Sequence, residues 1–150
     1  MIAYTEFQII ALTGKNKILY KQTKDLEVKY NGHVKAVSFT NKVYKYMAVS
    51  DFAVTKTGGL TTSEYLAMGL PIISVYPIPG QEERNTHYIL ENGAGLRAYD
   101  EVGLIYRVNK LLKDEMLLGQ MQNNALSISK PRASFDIHKI ISDYLLKKIA

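Results

Sequence analysis

The sequence predicts an α/β domain built on a parallel sheet with helices on its faces. Three observations carry that expectation. Short apolar runs alternate with amphipathic stretches over the first hundred residues, in the order β-α-β-α-β-α-β-α-β, which demands parallel strands with right-handed crossovers. Ile72–Tyr76 is apolar almost throughout, as expected of a strand covered on both faces. Two polar loops, 55–64 and 77–85, both leave the C-terminal end of a predicted strand. That rim is where open parallel sheets bind ligands.

Phe7–Leu12 reads as the first strand, closed by the turn Thr13-Gly14-Lys15-Asn16. Met1–Glu6 reads as a tail or the remnant of a preceding element. Lys17–Tyr30 is a charged amphipathic helix with Ile18, Leu19, Leu26 and Tyr30 as its apolar contacts. Asn31-Gly32 stops it, as a pair tolerant of the left-handed region should. Val34–Phe39 is the second strand. Thr40-Asn41 opens a helix to about Val49, with Val43, Tyr44, Met47 and Ala48 at helical spacing.

Phe52–Thr55 is the third strand, followed by Gly58-Gly59 and a helix over Thr61–Met68. Gly69 and Pro71 end that helix sharply. The strand Ile72–Tyr76 leads through the Pro-Gly loop to a helix over Glu82–Glu91, stopped by Asn92-Gly93. Ala94–Tyr99 is a short last strand. Asp100 caps a helix over Val102–Lys113, and Asp114 begins another to about Ser127. Pro131 breaks the chain. Ser134 or Asp136 then starts a terminal helix with Ile137, Ile140, Ile141, Tyr144, Leu145 and Ile149 on one stripe, expected to dock on the domain. With no repeat and no linker, residues 1–150 form one Rossmann-like unit. It lacks G-x-G-x-x-G, which argues against NAD or FAD.

Composition narrows the function. The length suits a single domain with its own core. There is no cysteine, and His33, His87 and His138 are scattered without ligand spacing, so no metal is expected. No stretch has the apolar length of a membrane span, and the N-terminus carries no signal-peptide pattern. The net charge of +5 suits anionic partners. Lysines concentrate in the first 56 residues, which favours an anionic lipid surface. The tyrosines are dispersed without a stacking motif, so nucleic acid is not expected.

The candidate site is Thr55–Asn85. A glycine turn between strand and helix lets free helix N–H groups face an anion. Gly58 and Gly59 sit at that turn, with Thr61, Thr62 and Ser63 as further hydroxyl donors. Glu64 follows about one helical turn later, where a carboxylate can accept two ribose hydroxyls. The pattern reads as a pocket for a nucleotide diphosphate.

The stretches Ala48–Asp51, Thr55-Lys56-Thr57-Gly58-Gly59-Leu60-Thr61-Thr62-Ser63-Glu64, Ala67-Met68-Gly69-Leu70-Pro71 and Pro77-Ile78-Pro79-Gly80-Gln81-Glu82-Glu83-Arg84-Asn85 together resemble a known group. It is the C-terminal nucleotide-sugar domain of GT-B glycosyltransferases of the monogalactosyldiacylglycerol synthase and processive diacylglycerol glucosyltransferase type. The likeness runs from about Ile9 to Gly95. It implies that Gly58, Gly59, Leu60 and Thr61 hold the diphosphate and that Glu64 holds the ribose. Gln81 and Glu82 would read the donor sugar, with Asn85 in support. Phe39 would lie beside the uracil, and Gly14 and Asn16 would line the same cleft. A core position for Phe39, and plain helix positions for Gln81 and Asn85, fit the residues as well.

Thr57 stands where the lipid-synthase pattern has proline, which predicts a less rigid turn. The resemblance further implies a partial C-terminal half of a GT-B fold. The acceptor site and the catalytic base would belong to an N-terminal domain, and this chain alone would be inactive. The implied reaction transfers galactose or glucose from UDP-galactose or UDP-glucose to diacylglycerol, with no cofactor. The implied location is cytoplasmic, peripheral to the membrane. Alternatives are a peptidoglycan-precursor N-acetylglucosaminyltransferase, a UDP-N-acetylglucosamine epimerase-like domain, or the non-catalytic subunit of a split glycosyltransferase.

Overall fold

The structure is a computed structural model that describes residues 7–149, with side chains through residue 146. The expectation for Met1–Glu6 lies outside the described residues, as does the side chain of Ile149. Five strands and seven helices follow in the order β1 (Ile9–Leu12), α1 (Lys17–Lys29), β2 (Val34–Val37), α2 (Val43–Met47), β3 (Ala53–Thr55), α3 (Gly59–Ala67), β4 (Ile72–Val75), α4 (Gln81–Glu91), β5 (Gly95–Ala98), α5 (Glu101–Lys113), α6 (Glu115–Ile128) and α7 (Ala133–Ile149). Every strand pairing is parallel, so the α/β expectation holds.

The strands do not form one sheet. β1 pairs with β2, and β3-β4-β5 form a second sheet. Ile9 and Thr13 donate their N–H groups to β2, at His33 and Val37, and Ala53 donates to Pro71 beside β4. Alternation along a strand therefore turns the backbone groups of Ile10, Leu12 and Val54 the other way. They face a cleft of about 970 Å³ lined by 7–13 from one sheet and 51–55 from the other. On the far side of the smaller sheet, Glu27 Oε2 accepts the Ala36 N–H at 3.1 Å, so a side chain from α1 caps part of that edge.

The core lies on the three-stranded sheet. Leu66, Ile72, Ile89, Ala94 and Ala125 pack on one face, and Ile73, Ala98, Leu111 and Met121 on the other. This explains the unbroken apolar run of β4: its successive side chains enter two different clusters.

Several boundaries move for local reasons. The Thr40 hydroxyl accepts the Lys42 N–H at 3.0 Å, a side-chain turn that delays α2 to Val43. Asn31 and Gly32 do adopt positive φ, at 47° and 81°. Asp100 and Asp114 cap α5 and α6 through the N–H groups of Gly103 and Leu117. On α1, the predicted contact Ile18 is 75 % exposed, whereas Thr23 is buried with its hydroxyl donated to the Leu19 carbonyl. The apolar stripe of α7 does not dock. Ile137, Ile140, Ile141, Tyr144 and Leu145 all stay more than half exposed.

Candidate functional site

The glycine turn joins β3 to α3. Gly58 is the N-cap in an extended conformation, and α3 begins at Gly59, two residues earlier than the sequence pattern indicates. The first intrahelical bond runs from the Thr62 N–H to the Gly58 carbonyl at 2.8 Å. Helix geometry therefore leaves the N–H groups of Gly59, Leu60 and Thr61 without intrahelical partners. No side chain caps this end, and the macrodipole adds positive potential there. An anion fits that arrangement.

Of the three hydroxyls expected at the turn, Thr61 remains. Its Oγ1 lies 4.0 Å from where a Cβ on Gly58 would stand. Ser63 donates back to the Gly59 carbonyl at 3.0 Å. Thr62 is buried four residues before the core residue Leu66, so it belongs to the core-facing stripe, and its hydroxyl has no partner among the described residues. Glu64 is exposed on α3. Burial, and then the Glu64 charge, push the adjacent Tyr65 phenol up.

The second loop meets the first. Gln81 opens α4, and its Nε2 lies 3.1 Å from a Cβ built on Gly59. The Glu82 carboxylate accepts the Ile78 N–H at 2.7 Å, which folds the Pro-Gly loop onto its own helix. Glu82 and Glu83 also lie in the first turn of α4, the favourable end for acids. Asn85 donates Nδ2 to the Thr57 carbonyl at 2.8 Å. It is therefore not a plain surface residue.

Thr57 corrects the expectation of a looser turn. It is fully buried, and its hydroxyl donates to the Glu82 carbonyl at 2.7 Å and lies 2.7 Å from Thr86 Oγ1. Thr86 in turn meets Ser74 Oγ of β4 at 2.9 Å. Three buried hydroxyls thus tie the glycine turn, β4 and the first turn of α4 together. The sequence gives no sign of this, because isolated Thr and Ser residues are common everywhere.

Gly14, Asn16 and Phe39 form a separate group at the smaller sheet. Gly14 has φ of 58°. The Asn16 side-chain oxygen caps α1 by accepting the Leu19 N–H at 3.0 Å, so that atom is already engaged. Phe39 is 62 % exposed, which rules out the core alternative, and Lys15 Nζ lies 5.1 Å from its ring centroid. Among the described residues no hydrogen bond links this group to the two loops of the larger sheet. Tyr76, which the sequence did not single out as a site residue, directly follows β4 with φ of 45° and a 63 % exposed side chain. A bulky residue at positive φ is costly and marks functional loops more often than ordinary ones.

The glycosyltransferase family 28 C-terminal domain matches residues 2–140. The chain belongs to that family. Within it, the chain is 33 % identical over 130 residues to a processive diacylglycerol beta-glucosyltransferase of Bacillus pumilus, covering 87 % of this chain and 34 % of that protein. It is 38 % identical over 136 residues to monogalactosyldiacylglycerol synthase 3, chloroplastic, of Arabidopsis thaliana, covering 89 % and 29 % respectively. The chain thus spans about a third of the length of these relatives. Two solved structures share its fold. MurG of Acinetobacter baumannii superposes with a TM-score of 0.68 at 16 % identity, over 91 % of this chain and 50 % of that one. The Anabaena HepE protein in complex with UDP gives 0.66 at 18 %, over 94 % and 41 %. This family 28 domain therefore presents its glycine turn and Pro-Gly loop from neighbouring parallel strands, β3 and β4.

Proposed function

We propose that the chain is the donor-binding part of a UDP-sugar-dependent glycosyltransferase that moves galactose or glucose to a diacylglycerol-type lipid. The observation that carries this reading is the meeting of the uncapped α3 N-terminus at Gly58-Gly59 with Gln81. An anion at the turn then has a polar side chain beside it. Gly58, Gly59, Leu60 and Thr61 hold the diphosphate, Glu64 the ribose, and Gln81 and Glu82 the hexose. Phe39, beside Gly14 and Asn16, takes the base.

Departure of UDP builds negative charge on the β-phosphate. The free N–H groups and dipole of α3 stabilise that charge where it develops. A base elsewhere in the enzyme deprotonates the acceptor hydroxyl. UDP alone suffices as ligand on this reading, and titrations with and without magnesium test that. The lysines of the first 56 residues favour contact with an anionic membrane surface on the cytoplasmic side. Among the described residues no helix is long and apolar enough to cross a membrane.

Calorimetric titration with UDP tests the assignment. Glu64→Ala should weaken UDP binding about tenfold, the worth of one charge-assisted hydrogen-bond pair. Unchanged affinity would sink the ribose assignment. The alternative reading is a peptidoglycan-precursor transferase with an N-acetylglucosaminyl donor. Competition among UDP-glucose, UDP-galactose and UDP-N-acetylglucosamine separates the two readings.

A further inference from the structure

We propose that Thr57 is a positioning residue that fixes the sugar-reading turn of α4 relative to the phosphate turn. The inference rests on the donor reading above, since it concerns what Gln81 and Glu82 recognise. Thr57 precedes Gly58 directly and is fully buried. Its hydroxyl donates to the Glu82 carbonyl at 2.7 Å, while Asn85 Nδ2 reaches back to its carbonyl at 2.8 Å. One residue is thereby clasped to the first turn of α4 in both directions. The clasp is anchored from behind by Thr86, whose hydroxyl oxygen lies 2.9 Å from the Glu82 carbonyl oxygen, and by Ser74 on β4.

Each hydroxyl has a single proton, which limits the bonds the cluster makes at once. Three hydroxyl hydrogens serve four contacts among Ser74, Thr86, Thr57 and the Glu82 carbonyl. A relay from Ser74 to Thr86 to Thr57 to the carbonyl satisfies each hydroxyl with one donation. All three residues are fully buried, so no water replaces a lost member cheaply.

The two ligand loops depend on the clasp unequally. The phosphate turn is built by the internal bonds of α3, from the Thr62 N–H to Gly58 and from the Ser63 hydroxyl to Gly59. These survive loss of the Thr57 hydroxyl. The start of α4 has internal bonds of its own, from the Arg84 N–H to Gly80 and from the Ile78 N–H to the Glu82 carboxylate, but its placement against the phosphate turn rests on the Thr57 hydroxyl and the Asn85 amide. The Thr57 hydroxyl is one of the two bonds that set Gln81 and Glu82 against the phosphate turn. Losing the hydroxyl should degrade recognition of the sugar more than recognition of the diphosphate.

The experiment is calorimetry of UDP, UDP-glucose and UDP-galactose on the wild-type chain, Thr57→Val, Thr57→Ser and Thr86→Val. Thermal unfolding establishes that each variant is folded. In the wild type, one UDP-hexose binds more tightly than UDP. That preference should fall about tenfold in Thr57→Val and return in Thr57→Ser, which keeps the hydroxyl. Thr86→Val, which cuts the relay from the other side, should also lower it and serves if Thr57→Val does not fold. A preference unchanged within about twofold in a folded valine variant overturns the inference and leaves the donor reading standing. Failure of Thr57→Ser to restore the preference also overturns it. A folded wild type that binds neither UDP nor UDP-hexose overturns the donor reading and this inference with it. Equal affinity for all three ligands removes the sugar role of Gln81 and Glu82, and with it the role of Thr57.

Discussion

Gly95→Ala tests how tightly the larger sheet is packed beneath the site. Gly95 opens β5 and pairs with Ile72 of β4. A Cβ at this position would stand 2.6 Å from the Ile72 carbonyl oxygen, 2.6 Å from Ile89 Cδ1 and 3.0 Å from Ile89 Cγ1. The two shortest approaches fall about 0.8 Å below ordinary van der Waals contact, which begins near 3.4 Å. One obstacle is backbone in a central strand, held by β3 on one side and β5 on the other. The other is a fully buried side chain of the core under α4. Overpacking of this kind costs about 1–3 kcal/mol, and displacing the β4–β5 ladder adds about 1 kcal/mol for a weakened hydrogen bond. The expected loss is therefore about 3 kcal/mol in urea denaturation, or a melting temperature lower by about 10 °C for a domain of this size. Ile89→Val removes Cδ1. Alone it should cost about 1 kcal/mol, and in the alanine background it should cost nothing, because it relieves one of the two collisions. Gly95→Ala stability within about 0.5 kcal/mol of wild type would refute the packing argument. Equal costs of Ile89→Val in both backgrounds would show that the collision with Ile89 is not what the alanine pays for.

Asp100→Ala removes the oxygen that accepts the Gly103 N–H at 2.6 Å and should cost about 1 kcal/mol by denaturant titration; a neutral result would mean water replaces the cap. The Glu27 carboxyl is held below the usual carboxylate range, first by the hydrogen bond from Lys24 and then by the Ala36 N–H. A lowered folded-state pKa stabilises above the ordinary value and is lost as pH falls through the depressed one. Amide exchange at Ala36, corrected for its intrinsic pH dependence, should thus lose protection only as the pH falls below the ordinary glutamate range. Protection that persists to the acid end would detach β2 from the Glu27 carboxylate.

The sequence by itself determined the order of elements, the parallel class and the two polar loops that leave β3 and β4. Those features are local. Apolar period, the Gly58-Gly59 helix start, the Asn31-Gly32 stop and the Asp100 and Asp114 caps act within a few residues of themselves. Tertiary structure decided what depends on partners distant in the chain. It separated β1-β2 from β3-β4-β5, because a strand's apolar pattern does not say which edge it pairs through. It left the α7 stripe exposed, since amphipathicity marks a face without naming what covers it. At the site it took Thr62 into the core side of α3, spent the Asn16 oxygen on a helix cap and set Asn85 against the Thr57 backbone. Thr57, Ser74 and Thr86 are up to 29 residues apart, and only the packing of α4 against β4 makes a buried hydroxyl cluster of them. A hydroxyl's partner in the interior is set by geometry, and three-dimensional proximity leaves no local trace in the chain.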